Sequence, residues 1–201
     1  VDDEPRYVGV PQMNKVAKYL AAGLNVHVNT RIVSLEHEKS WKLIDEKGHL
    51  YNDFDWVISA VPSPQAAELL PSAFAYHANI CAIEMRACFS LMLGFSERLP
   101  LDFEAAHVTN SDLSWIAINS QKPGRVDQYT LMVHSSGDYA EANIDDDREA
   151  VMQHLIAQTS RIIGHDVSTA DYKTVHGWRY ANNAKREISP VFLDQNLTIG
   201  K

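Results

Sequence analysis

Two cysteines, no apolar run of membrane-spanning length and no excess of basic residues set the first limits on this 201-residue chain. Cys81 and Cys88 lie in an apolar neighbourhood. They are expected to be two buried, reduced thiols rather than a disulfide, which suits a reducing, cytoplasmic compartment. No signal peptide, transmembrane run or lipidation motif is visible, so no membrane partner is expected. The net charge of −8 argues against a nucleic-acid partner, whose phosphates need a Lys/Arg footprint. It leaves room for a local basic pocket that takes a phosphate. There are 9 His but no H-E-x-x-H and no C-x-x-C. His107, His134 and His176 fall on separate strands, so no metal site is expected. The absence of G-x-S-x-G excludes a serine hydrolase of that type. Asp145 to Asp147 with Glu141 lack EF-hand spacing and read as a helix N-terminus. None of Gly9, Gly23 and Gly48 builds a G-x-G-x-x-G loop. Asn196-Leu-Thr198 matches a glycosylation sequon, which carries no weight without a secretion signal. There are no internal repeats.

What is present is ordinary globular composition, 45% hydrophobic and 22% charged. A chain of this length can bury roughly 70% of its unfolded surface in one core. The organising stretch is Asp55 to Gln65. Trp56, Val57, Ile58, Ala60 and Val61 make an apolar run without alternation, the pattern of a strand buried on both faces. Pro62 and Pro64 end it. Ser63 is placed to cap a helix from Pro64 through Leu70. Ligands of open α/β sheets lie beyond the carboxyl ends of such strands. Yet this chain offers no convincing parallel partner for it.

In chain order, Pro11 opens a helix to Leu20 and Ala22, closed by Gly23. Strands at 25–29, 31–37, 41–46 and 49–51 form a small antiparallel meander. Residues 74–84 are read as mainly helical and Ala87 to Phe95 as a strong strand. His107-Val108, Leu113 to Asn119 and Tyr129 to His134 are three more strands, the last two flanking the polar loop from Ser120 to Gln128. Asp145 to Gly164 is the clearest helix, with Val151, Met152, Leu155, Ile156, Ile162 and Ile163 on its apolar face. Tyr172 to Tyr180 is a strand. The chain does not begin with Met and stops on Ile199-Gly200-Lys201, which reads as the start of a strand. It is therefore expected to be an internal portion of a longer protein.

Several segments carry a resemblance. They are Arg6-Tyr-Val-Gly-Val-Pro-Gln-Met-Asn14, Thr30-Arg-Ile-Val-Ser-Leu35, Trp56-Val-Ile-Ser-Ala-Val-Pro62 with Pro64-Gln65-Ala66, Trp115-Ile-Ala117 with Lys122-Pro-Gly-Arg125, and His176-Gly-Trp-Arg-Tyr-Ala181. In this order and spacing the chain resembles the flavin-containing amine oxidase superfamily, and within it the bacterial renalase-like FAD/NAD-dependent oxidoreductases. The resemblance implies an α+β fold: a mostly antiparallel mixed sheet packed by helices, of substrate-domain type. One strand, at Asp55 to Val61, would belong to an absent Rossmann-like domain. Residues 1–65 would contact that FAD domain, 66–182 would form the substrate domain, and 183–201 would be a truncated return toward the FAD domain.

The resemblance also implies site residues. Backbone at Arg31, Ile32 and Val33 would meet the adenine end of FAD, and Ala60, Val61 and Pro62 would lie along the cofactor. The alternative is that Ile32 and Val61 are plain core. Trp115, Asn119, Lys122, Arg125, Trp178 and Tyr180 would bind substrate, on a face that also carries His134, with Arg179 nearby. Aromatic side chains suit a flat ring stacked against a flavin. Lys122 and Arg125 suit a phosphate of a dinucleotide substrate, or else are a solvated loop. Alternation places Trp178 and Tyr180 on one face and Arg179 on the other, so the three cannot share a pocket. Family relatives often carry Arg where this chain has Ile118.

The function implied is part of an FAD-dependent oxidoreductase that oxidises an amine or a dihydronicotinamide by hydride transfer to flavin. FAD would sit in the full-length parent; the fragment alone would be inactive and would not retain it. The alternative is a non-catalytic α+β binding or interaction domain without cofactor. The expected partner is a small-molecule substrate, including a nicotinamide dinucleotide, with self-association possible through an exposed strand edge.

Overall fold

A computed structural model describes residues 7–184 and 192–194. The chain divides into two compact units. One comprises residues 1–24 and 87–179, the other residues 25–86 and 180–201.

The first unit is built on an antiparallel sheet. Its strands are β4 (Met85–Phe95), β5 (Ala105–His107), β6 (Leu113–Ile118), β7 (Tyr129–Ser135) and β8 (Tyr172–Asn183), in the order β5-β6-β7-β4-β8. Both β4 and β8 continue into the residues of the second unit. The pleat is legible in β7. Tyr129, Leu131, Val133 and Ser135 are buried, while Thr130, Met132 and His134 between them are half-buried on the opposite face. Leu131 and Val133 stand across from Leu93 and Leu91 on β4 and from Ile118 and Ile116 on β6. This apolar face is covered by α4 (Gly137–Asn143) and α5 (Arg148–Ile163).

Helix α5 is specified locally at both ends. The Asp147 carboxylate accepts from Ala150 N–H at 3.0 Å, and Gly164 closes the helix at φ 71°. Val151, Leu155 and Ile156 are buried on its inner face as expected. Ile162 is not, and Thr159 is. The Thr159 hydroxyl donates back to the Leu155 carbonyl at 2.7 Å, so its burial leaves no polar group unpaired. The sequence reading missed α4, whose Ser136 cap accepts from Tyr139 N–H at 3.2 Å.

The second unit holds a three-stranded antiparallel meander, β1 (Ile32–His37), β2 (Trp41–Asp45) and β3 (Leu50–Phe54), with α2 (Ser63–Leu69) and α3 (His77–Cys81). Asp45 stabilises the β2–β3 turn. Its carboxylate accepts from Lys47 and His49 N–H at 2.9 and 2.8 Å and lies 2.9 Å from His49 Nδ1. Burial raises its pKa, but those bonds outweigh it and hold the carboxyl at about 2.

Several expectations are corrected. The strand at 25–29 does not form, and Val26 and Val28 are exposed. Helix α1 (Asn14–Leu20) is shorter than expected and buries no residue. The helix expected at 74–84 is reduced to α3. Ser63 does not cap α2; its hydroxyl donates to the Ile83 carbonyl at 3.2 Å. Cys81 and Cys88 are both free thiols, but Cys81 is exposed and Cys88 half-buried. Residues 55–62 run without strand pairing among the described residues. Trp56 and Ile58 are 60% and 89% exposed rather than buried on both faces. A strand whose apolar side chains have no covering layer does not acquire burial from its own sequence. The segment expected at Ile199 lies outside the described residues.

Candidate functional site

Two places in the fold gather the residues that the sequence singled out, one in each unit.

In the second unit, a cleft of about 650 Å³ opens between β1, the extended 57–61 segment and α2. Arg31, Ile32, Val33, Ala60 and Val61 all line it, although the two groups are separated by nearly thirty residues of chain. Pro62, the sixth residue expected there, adjoins the lining as the residue preceding α2. Val33 sits where the β1–β2 register shifts between Ile32 and Ser34, so its backbone falls outside the regular ladder. Ser59 and Ala60 contribute small side chains to the lining. Thr30, Gln65 and Glu68 add polar groups that the sequence reading did not pick out. Their signal was available only as the helical spacing of Gln65 and Glu68, which places both on one face of α2. Ile32 is half-buried and Val61 is 43% exposed, so neither is plain core.

In the first unit, the sheet face opposite α5 carries a polar and aromatic row. His107 stands across from Trp115, Trp115 from His134, and His134 from Ser90. A Cβ on Gly94 would meet Tyr172 and one on Gly177 would meet Phe89, so His176, the neighbour of Gly177 on β8, falls on the face opposite Phe89. Strand register therefore sets His107 and His134, far apart in sequence, on either side of Trp115. The His107 and Trp115 rings meet edge to face at 6.0 Å, and those of His176 and Trp178 at 4.3 Å. No group of three or more His, Cys, Asp or Glu among the described residues is arranged to hold a metal.

The expected substrate residues are partly assembled here. Trp115 lies on β6 and Asn119 begins the 3₁₀ turn that follows it, both half-buried. Lys122 and Arg125 come next, also half-buried. Trp178 is on β8, 54% exposed. Tyr180 lies two residues further along β8, among the residues of the second unit. Arg179 points the other way, as alternation requires, and is bonded to Asp145 on the helix-covered side. His134 has its pKa lowered, by burial first and by the nearby Lys122 ammonium second. The Lys122 ammonium is itself pushed down by burial and then by Arg125.

Comparison with known proteins places this geometry. The family model for flavin-containing amine oxidoreductases matches residues 4–188. A protoporphyrinogen oxidase from Exiguobacterium sp. 255-15, described as putative, superposes with a TM-score of 0.69 at 14% identity, over 87% of this chain and 40% of that one. A putrescine oxidase double mutant gives 0.66 at 14% identity, over 82% and 38%. Cyclohexylamine oxidase from Brevibacterium oxydans IH-35A gives 0.62 at 12% identity, over 83% and 38%. The chain thus spans about two fifths of the length of these relatives, and at such identities the likeness is one of fold. The antiparallel α+β architecture is theirs, and with the match running through nearly all of its residues, the chain belongs to the flavin-containing amine oxidoreductase family.

Proposed function

We propose that this chain is part of an FAD-dependent oxidoreductase of renalase-like, amine-oxidase type, and that the Thr30–Leu69 cleft receives the adenine end of FAD. The observation that carries the reading is the convergence of Arg31, Ile32, Val33, Ala60 and Val61 on one cleft. The lining suits an adenosine. A bulged strand presents backbone N–H and C=O groups, Ser59 and Ala60 permit close approach, and the Glu68 carboxylate can accept from ribose hydroxyls. No glycine lines the cleft, so it lacks the close backbone approach a pyrophosphate usually requires. Bound flavin would supply hydride acceptance from an amine or a dihydronicotinamide substrate. The chain's own part is positioning. Trp115, Asn119 and Trp178 offer a face against which a flat ring can stack, and the sheet beneath holds them in register. Two free thiols suit a reducing cytoplasm.

The test is an absorption spectrum of the full gene product, and of this chain mixed with FAD and desalted. The full product is expected to carry flavin and this chain to lose it on desalting. Ala60→Trp, which fills the cleft, should lower flavin content in the full product while leaving its circular dichroism unchanged. A full product without flavin would refute the reading and favour a cofactor-free binding domain.

A further inference from the structure

The Lys122-Pro123-Gly124-Arg125 segment is a tight turn closed by a bond from Arg125 N–H to the Lys122 carbonyl at 3.3 Å. Pro123 occupies the second position and Gly124 the third at φ 69°, the requirements of a type II turn. Such a turn brings its first and fourth residues within about 7 Å. It therefore holds the Lys122 and Arg125 side chains as a pair. Val10 and Pro11 lie against the turn, since a Cβ on Gly124 would run into Val10 Cγ1. His134, on the open face of the sheet, lies near enough to Lys122 for the ammonium to disfavour its protonated form.

Two cationic side chains thus meet in one place on a chain of net charge −8. No carboxylate among the described residues pairs with Lys122 or Arg125. Asp127, two residues away, is bonded instead to Arg98 at 3.2 Å. The Arg125 Nη1 atom is buried and has no hydrogen-bond partner. A solvated loop would give that nitrogen to water. Burying a guanidinium nitrogen unpaired beside a second cation is unfavourable twice, through desolvation and through repulsion. An oxyanion between Lys122 and Arg125 removes both costs, because guanidinium and ammonium donate to it in charge-assisted bonds.

We propose that Lys122 and Arg125 form an oxyanion subsite, so that the ligand of the open sheet face carries a phosphate or a carboxylate. In calling that ligand the substrate, this rests on the function proposed above; the subsite itself does not. An amine alone would meet only positive charge here. A molecule with an anionic group at one end and an oxidisable flat group at the other would place the first on the turn and the second toward Trp115 and Trp178.

The experiment is a titration of this chain, without flavin, with sodium phosphate, pyrophosphate and acetate, and with methylammonium chloride at matched ionic strength. Backbone amide chemical shifts are followed by two-dimensional NMR. Saturable shifts confined to residues 119–134 are expected with an oxyanion, at a Kd of order 1 mM, and none with methylammonium. Preference for phosphate and pyrophosphate over acetate assigns a phosphoryl group; the reverse assigns a carboxylate. Arg125→Gln and Lys122→Gln should each weaken binding about tenfold, and Arg125→Lys should restore part of it. Arg98→Gln removes one charge from the connector after β4, outside the subsite, and should change binding less than about twofold. The same spectra show whether each variant is folded. Absence of localised shifts with every oxyanion, or equal weakening by Arg98→Gln and Arg125→Gln, overturns the proposal. Because no flavin is present, oxyanion binding can stand while the flavin spectrum fails, and the reverse.

Discussion

Gly177 lies between His176 and Trp178 on β8, with its back to the helix-covered core. Its backbone is not in the left-handed region, so alanine is sterically allowed by the chain itself. The added methyl, however, would stand 3.0 Å from Phe89 Cε1, 3.2 Å from Arg148 Nη2 and 3.2 Å from Ile144 Cδ1. Carbon contacts are comfortable at about 3.5–4.0 Å, so all three neighbours must give by a few tenths of an ångström. Phe89 is fully buried, with Arg148 Cζ 5.2 Å from its ring centroid, and has little room to retreat. Overpacking of this kind costs about 1–3 kcal/mol. Removing a glycine from the unfolded chain returns about 0.4–1 kcal/mol. Gly177→Ala should therefore destabilise by about 1–2 kcal/mol, read as a lower urea midpoint at unchanged slope, with tryptophan emission as the probe. The control is Phe89→Leu, which withdraws the atom that is most crowded. In that background the cost of Gly177→Ala should shrink by about 1 kcal/mol, a coupling that distant residues do not show. An equal cost in both backgrounds, or a stabilising Gly177→Ala, would refute the close packing of β8 against Phe89.

Three further outcomes are expected. Leu155→Ala removes a fully buried side chain from α5 and should cost about 3–5 kcal/mol by chemical denaturation. Asp45 titrates at about 2 when folded against an ordinary 3.8, so its stabilisation is complete above pH 3.8 and is lost as pH falls from 3.8 toward 2. Across that window Asp45→Asn should lose less stability than the parent chain, and parallel pH profiles would contradict the assignment. Gly124→Ala places a side chain at φ 69° and against Val10, so it should destabilise by at least about 1–2 kcal/mol and weaken oxyanion binding. Val10→Ala should relieve part of that loss.

The amino-acid pattern by itself determined the local elements whose cause is local. Strand β4 is written in the mostly apolar stretch from Ala87 to Phe95, α5 in its Asp147 cap, inner apolar stripe and terminal Gly164, and the 122–125 turn in Pro-Gly. The family resemblance was equally legible, because it rests on the order of short segments rather than on contacts. What the tertiary structure decided were relations across the chain. Five of the six cleft residues expected from segments 31–33 and 60–62 share one cavity only because α2 returns past β1. His107, Trp115 and His134 form a row only because strand pairing sets their register, and no local signal encodes register between strands. Residues 55–61 show the converse limit. Their composition announced burial, but burial needs a covering layer, and Trp56 and Ile58 meet none among the described residues. Arg125 is the most instructive position. Its sequence context fits a solvated loop equally well, and only the packing around its unpaired nitrogen takes that atom out of bulk solvent.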